Sequence, residues 1–202
     1  LWQQVVFNDR NKISQDIEML NWNDQDLIKV IEARASASLE RDTAWNDVFF
    51  SGEMRQRMRS QTYMLKRTMG RPRDILAYST FSIDEASRQN NQEVTADDIY
   101  VAESRYSQHI LDELEDEMEG TIPDLNRHLL SFKAIGKRSF KQEDWVEENK
   151  NRGVAEDDAK DVLKKFFEAS VVGTFARGGG GGGSRSVYRY QDPYVQPDEN
   201  TL

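Results

Sequence analysis

Hydrophobic residues recur at three- and four-residue intervals along the first half of the chain, which is the spacing of one face of an amphipathic helix. The pattern predicts a helix over 25–39 that begins at Asn23 or Asp24, since both residue types accept hydrogen bonds from the free N–H groups at a helix start. A second helix is predicted over about 53–68, with Gly70 as its left-handed end.

Two further helices are predicted after this point. The third begins at Pro72, because a proline in the first turn loses no helical hydrogen bond. The fourth opens with Thr95 and Asp98, which have the spacing of a capping box. A long stripe follows and predicts a single helix; its apolar positions are Ile99, Ala102, Tyr106, Ile110, Leu114 and Met118.

Gly120 and Pro123 interrupt the helical pattern, and the rhythm of the sequence changes after them. A glycine and a proline close together end helices and mark connections between units. We therefore predict two domains, a helical one over 1–120 and a second one over 121–202.

The second domain is predicted to contain a helix, a short strand, two helices, and two strands around the glycine run Gly178–Gly183. The short strand is "RSF" at 138–140, and the last helix buries a face made of Val162, Leu163, Phe166 and Phe167. This is the element order of a winged helix. The sequence thus predicts a mainly α fold: a helical bundle followed by a winged-helix domain whose wing is a small β-hairpin.

The composition of the chain excludes several kinds of stabilising link and metal site. The chain has 202 residues, a net charge of −9 and no cysteine, which excludes disulfides and cysteine-based zinc sites. No apolar run approaches the roughly 20 residues of a membrane-spanning helix, so we expect no membrane partner. The lack of cysteine and of a secretory signal pattern at the first residues leads us to expect a reducing compartment, the cytoplasm. The sequence starts at Leu1 without a methionine, which suggests a piece of a longer protein.

Recognisable catalytic motifs are absent from the sequence. The glycine run has no lysine after it, so it is not a phosphate-binding P-loop. His109 and His128 are the two histidines and neither belongs to a spaced ligand pair. We therefore predict no catalytic residue and no metal site in this chain.

Seven basic residues and no acid lie between Arg55 and Arg73. Arg71 and Arg73 flank Pro72 at a helix start, where free N–H groups favour an anion and guanidinium groups fit phosphate oxygens. Two interpretations remain open: the arginines bind a phosphate, or they pair with Asp74 and other helix acids. The acidic run at 112–119 is interpreted as a solvated outer face.

The segments "GRPRDIL" and "VTADDIYVAESRYS" resemble the lid subdomain of AAA+ and STAND-type P-loop ATPases. Over the whole chain, "NKISQDIEMLNWNDQDLIKVIEAR", "AWNDVFF" and "RTMGRPRDIL" are similar to a bacterial P-loop ATPase family of unassigned role. The resemblance implies that Arg73, with Arg71 second, is the sensor 2 arginine that contacts nucleotide phosphate. Arg34 matches a basic position of unknown role.

The same resemblance implies an N-terminal P-loop domain, absent from this sequence, that would bind ATP and Mg²⁺. The chain alone is then expected neither to bind ATP tightly nor to hydrolyse it. The predicted function is regulatory: the lid senses nucleotide, and the winged helix docks within the protein or on a protein partner, or mediates self-association.

The alternative is a nucleic-acid-binding adaptor that contacts DNA through the wing residues Arg177, Arg185 and Arg189. It is the weaker interpretation, because four acids lie near the start of the last helix and would repel phosphate; they are Glu156, Asp157, Asp158 and Asp161.

Overall fold

The computed structural model describes residues 22–118, 120–176, 185–192 and 194–197. Within them the protein is mainly helical with one small antiparallel hairpin, which confirms the predicted fold class. The elements are α1 (Asp24–Leu39), α2 (Ser60–Leu65), α3 (Pro72–Arg88), α4 (Ala96–Met118), α5 (Leu125–Ile135), α6 (Gln142–Asn151), α7 (Glu156–Glu168), β1 (Thr174–Ala176) and β2 (Arg185–Val187). Across the described ranges, no helix has the length and apolar character to cross a membrane.

Three of the four helix starts predicted in the first half of the chain are confirmed. The side chain of Asn23 accepts a hydrogen bond from the backbone N–H of Asp26 at 2.9 Å. Thr95 and Asp98 cap α4 reciprocally: Asp98 Oδ2 accepts the Thr95 N–H at 2.8 Å, and Thr95 Oγ1 accepts the Asp98 N–H at 3.3 Å. Pro72 occupies the first turn of α3. A helix start leaves backbone N–H groups without partners. The side chains of Asn23 and Thr95 accept hydrogen bonds from such groups, and Pro72 has no N–H that needs a partner.

The second predicted helix was wrong over its first half. Residues 53–59 form a tight loop with a 3₁₀ turn, in which Gln56 and Arg57 have left-handed φ values of 62° and 57°. The N–H of Met54 donates to the carbonyl of Met58 at 2.8 Å and closes this loop. Because non-glycine residues rarely adopt positive φ, sequence periodicity could not anticipate it.

Two details of other elements also differ from the sequence prediction. Gly70 has the left-handed φ of 66°, but it lies beyond the end of α2 in the loop before α3. Residues 138–140, predicted as a strand, form bends with no strand pairing. Residues 121–176 and 185–192, called the second unit below, therefore contain three helices followed by a hairpin, without the predicted first strand.

Two hydrophobic clusters hold these elements together, and α4 contributes to both. Tyr106 belongs to the first cluster, which also contains the buried residues Leu27, Ile31, Trp45, Phe49, Tyr63, Met64, Ile75, Tyr78 and Ile99. Leu114 and Met118 belong to the second, whose centre is the fully buried Trp145. The predicted inner face of α7 is buried as expected; it consists of Val162, Leu163, Phe166 and Phe167.

The second cluster is organised by the indole of Trp145. Its Nε1 donates to the carbonyl of Ala159 at 2.8 Å, and its ring lies 4.5 Å from that of Phe132 and 5.9 Å from that of Phe166. These contacts join α5, α6 and α7, and truncating such a buried tryptophan typically costs 3–5 kcal/mol. The hairpin follows α7 and pairs Thr174 with Val187.

Candidate functional site

Helices α3 and α4 pack antiparallel and bring distant parts of the sequence together. The rings of Tyr78 and Tyr106 stack with centroids 4.8 Å apart at an angle of 10°, and the Tyr78 hydroxyl donates to the carbonyl of Ile99 at 3.2 Å. Burial of these phenols raises their pKa values above the ordinary range. As a consequence of this packing, the first turn of α3 faces the acidic last turns of α4.

Asp74 fixes the geometry at the start of α3. Its side chain is completely buried, and its Oδ2 accepts hydrogen bonds from the backbone N–H of Met69 at 3.1 Å and from Nε of Arg71 at 2.9 Å. A carboxylate in the first turn is also favoured by the helix dipole. Asp74 therefore holds the preceding loop, including Gly70, against the helix.

Arg73 projects from the same turn but is held much more loosely. Its side chain is 48% exposed and donates a hydrogen bond to Glu117, which is 51% exposed. Nη2 of Arg73 also lies 3.5 Å from Oε2 of Glu113, an otherwise unbonded buried oxygen. The hydrogen bond to Glu117 raises the pKa of Arg73, so the guanidinium stays charged.

These five side chains form one arginine–acid cluster, namely Arg71, Arg73, Asp74, Glu113 and Glu117. Asp74 is the buried inner part of the cluster, and Arg73 with Glu117 is its exposed outer part. Nη1 of Arg71 lies 3.8 Å from Glu117 and so connects the two parts. Two guanidinium groups face three carboxylates, so the cluster has no surplus of positive charge. A phosphate could bind here only by displacing an acid, and Glu117 is the most exposed of them.

Residues 25–115 match the family described as FunZ-associated C-terminal helical domain. No curated protein and no solved structure matches the chain. The match includes Arg71, Arg73, Asp74 and Glu113, and it ends within α4 before Glu117. The comparison thus assigns a helical domain type to the part of the chain that carries most of the cluster.

The structure contains the ion pairs of the second interpretation left open by the sequence. The arginines do pair with Asp74 and with acids of another helix. The interpretation of the acidic run as a solvated face holds for Glu117, which is 51% exposed although it pairs with Arg73, but not for the half-buried Glu113. Antiparallel packing of the two longest predicted helices was the signal that could have revealed this, because it places the start of one against the end of the other.

Tyr190 connects the cluster with the second unit, and sequence reasoning did not single it out. Its hydroxyl lies 3.5 Å from the carbonyl of Thr68, and its backbone N–H donates to Oγ of Ser170 at 3.0 Å. A Cβ atom on Gly70 would stand 3.3 Å from the Tyr190 ring. The segment after the hairpin therefore contacts the loop that carries Arg71.

A second arginine of the basic stretch has a different environment. The guanidinium carbon of Arg67 lies 3.3 Å from the ring centroid of Tyr63, and its Nε donates to Glu103 at 2.7 Å. The Tyr63 hydroxyl donates to the other oxygen of Glu103 at 2.6 Å. Burial and this hydrogen bond raise the pKa of Tyr63 to about 12. We call this group the Tyr63–Arg67–Glu103 cluster.

Of the remaining sequence candidates, Arg34 and His128 lie apart from both clusters, whereas His109 contacts the arginine–acid cluster. Arg34 is exposed on α1. His128 is buried, with Nδ1 2.8 Å from Oδ1 of Asn149, and His109 lies 3.5 Å from Glu113. Within the described residues, no group of acids and histidines is arranged to hold a metal ion.

The wing arginines are described only in part. Arg177 and the glycine run lie outside the described residues, while Arg185 starts β2 and Arg189 follows that strand. At the start of α7, Glu156 pairs with Lys150 at 2.6 Å and with Lys160 at 2.7 Å. These bonds lower the pKa of Glu156 to about 2.

Proposed function

We propose that this chain is the regulatory C-terminal part of a P-loop ATPase. In this proposal Arg73 contacts the phosphate of a nucleotide held by a separate P-loop domain, and the α5–β2 unit serves for docking. The observation that carries the proposal is the state of Arg73: it is charged, half-exposed and placed at a helix start. Its hydrogen bond goes to an equally exposed acid, and its contacts to Asp74 and Glu113 are longer, at 3.6 and 3.5 Å.

The pair between Arg73 and Glu117 is suited to exchange. Exposed ion pairs contribute only about 0–1 kcal/mol, so replacing Glu117 by a phosphate costs little. A phosphate oxygen would gain the guanidinium of Arg73 and the positive end of the α3 helix dipole. Asp74 would keep the loop in place during this exchange, because its bonds to Met69 and Arg71 do not involve Arg73.

The matched family description agrees with a domain that lies at the C-terminal end of a larger assembly of domains. A P-loop domain would supply the amide cradle and the Mg²⁺ site, which the chemistry of phosphoryl transfer requires. The contact between Tyr190 and the loop at Gly70 gives the second unit a direct mechanical connection to the arginines.

Docking is favoured over DNA binding for the second unit by its charge. The leading turn of α7 carries Glu156, Asp157 and Asp158. The two lysines beside Glu156 are engaged by that carboxylate. A helix start with this composition repels a phosphate backbone.

The test uses the protein that carries this chain together with its P-loop domain. Arg73→Ala is expected to lower ATP turnover about 100-fold or more, since a single positioned donor or arginine contributes that much to phosphoryl or acyl transfer. Arg88→Ala is the matched control: Arg88 lies on the same helix, is 54% exposed and pairs with Glu85.

Unchanged turnover in the Arg73→Ala protein would refute the sensor role. A reading frame without a Walker A lysine ahead of this chain would refute the parent ATPase as well. Circular dichroism melts of both variants separate a loss of catalysis from a loss of folding.

A further inference from the structure

A surface groove of about 950 Å³ lies between residues 137–141 and the hairpin. We call it the hairpin groove. Aromatic side chains of α5, the following loop and β1 line its floor, and three cations line its rim. The floor residues are Phe132, Phe140 and Phe175, and the rim residues are Lys137, Arg138 and Lys141. The groove is distinct from the arginine–acid cluster.

The rim cations are unusual in a chain with a net charge of −9. Among the described residues, no ion pair engages the side chains of Lys137, Arg138 or Lys141. Asp144 also lines the groove, and its Oδ2 accepts the backbone N–H of Lys141 at 3.1 Å. The groove therefore has a positive rim, which favours an acidic occupant.

The backbone at one wall of the groove also lacks partners. Residues 138–140 form no strand and, in the part of the chain that the structure describes, their N–H groups make no hydrogen bond. The opposite wall is one face of the hairpin, since the paired residues Phe175 and Ser186 both line the groove. The unpaired backbone groups at the groove are therefore the N–H groups of residues 138–140. An extended peptide can satisfy such groups, as in recognition by strand addition.

We propose that the hairpin groove binds an extended acidic segment of a partner protein. A bulky apolar side chain of this segment enters between Phe132, Phe140 and Phe175. Carboxylates on either side of it pair with the rim cations. A DNA backbone could meet the cations but offers nothing for the aromatic floor, so the peptide fits the whole groove better.

This inference rests on the docking role proposed above but not on nucleotide sensing. The assay of the hairpin groove measures peptide binding at α5, α6 and the hairpin. The Arg73→Ala experiment reads ATP turnover, so the two can fail independently.

The experiment measures fluorescence anisotropy of labelled octapeptides at low ionic strength, where surface charges act most strongly. The probe DEDLFDED is expected to bind. DEDAADED lacks the apolar side chains, KKKLFKKK reverses the charge, and both are expected to bind far more weakly. A short labelled DNA duplex is tested in parallel and is expected to give no increase in anisotropy.

Arg138→Glu is expected to weaken binding of DEDLFDED by at least about tenfold, because it replaces attraction by repulsion at the rim. Lys133→Glu is the matched control, since Lys133 is exposed on α5 and does not line the groove. Both variants make the same change in net charge, and the control is expected to bind as the parent protein does.

Four outcomes would overturn the proposal. They are no binding of DEDLFDED, equal weakening by both glutamate variants, DNA binding that depends on Arg138, and self-association in sedimentation that Arg138→Glu abolishes. The last outcome would assign the groove to a second copy of the chain.

Discussion

Two arginine clusters lie along α4, and they differ in depth. In the Tyr63–Arg67–Glu103 cluster the guanidinium stacks on a ring, and the arginine and glutamate side chains are 24% and 32% exposed. In the arginine–acid cluster the outer pair, Arg73 and Glu117, is 48% and 51% exposed. Both arginines come from one basic stretch of the sequence.

The difference separates a structural role from one suited to binding. Arg67 also donates to the carbonyl of Tyr63 at 3.0 Å, so it cannot leave without breaking a network that stabilises the first hydrophobic cluster. Arg73 can turn to a new anion with the loss of only its long contact to Asp74, 3.6 Å from Nε to Oδ1, while Asp74 keeps its bonds to Met69 and Arg71. Depth of burial, rather than the number of basic residues, distinguishes the two.

Among changes within the two arginine clusters, the largest effect on stability is expected from Asp74→Ala. This change removes the buried acceptor of the Met69 N–H and leaves Arg71 without its closest carboxylate. Breaking a partly buried charge-assisted network of this kind costs about 3 kcal/mol. Urea unfolding followed by circular dichroism measures the loss.

Asp84→Ala is the control for this prediction, because Asp84 lies on the same helix but is 49% exposed and stands 3.9 Å from Arg105. Its effect is expected to stay within about 0.5 kcal/mol. A loss of stability below about 1 kcal/mol in Asp74→Ala would mean that Asp74 does not anchor the loop. The division of the cluster into a fixed inner part and an exchangeable outer pair would then be wrong.

A smaller loss, about 2 kcal/mol, is expected for Arg67→Ala. The variant loses the stacking on Tyr63 and leaves Glu103 without its cation, and cation–π contacts and charged hydrogen bonds are each worth about 1–2 kcal/mol. The same urea titration applies. Lys66→Ala is a suitable control, since the neighbouring Lys66 is exposed; equal losses in the two variants would contradict a specific role of Arg67.

Much of the helical framework was predictable because local signals agree with it. Asn23, Pro72 and the Thr95–Asp98 pair each satisfy the needs of a helix start within a few residues, and the stripe of α4 has a clear period. The loop at Gln56 and Arg57 was not predictable, since positive φ values at non-glycine residues depend on tertiary contacts.

Only the hydrogen-bond donors of the candidate site could be predicted from the sequence. Arg71 and Arg73 stand out in the sequence, but Glu113 and Glu117 are their partners only because α3 and α4 pack antiparallel over stacked Tyr78 and Tyr106. Local pattern does not report such pairing. The same holds for residues 138–140, a short segment that was predicted as a strand but lines a groove instead.

The smallest effect, and the sharpest test of the comparison, is expected for the outer pair. A double-mutant cycle of Arg73→Ala and Glu117→Ala should give a coupling of about 0.5 kcal/mol or less, decreasing further with added salt. The cycle of Arg67→Ala and Glu103→Ala should give a larger coupling that depends less on salt, because that pair is shielded by Tyr63. If the two couplings were equal in size and in salt dependence, Arg73 would be as fixed as Arg67. The case for its exchange with a phosphate would then be lost, since the exposure of the pair would not correspond to weak binding.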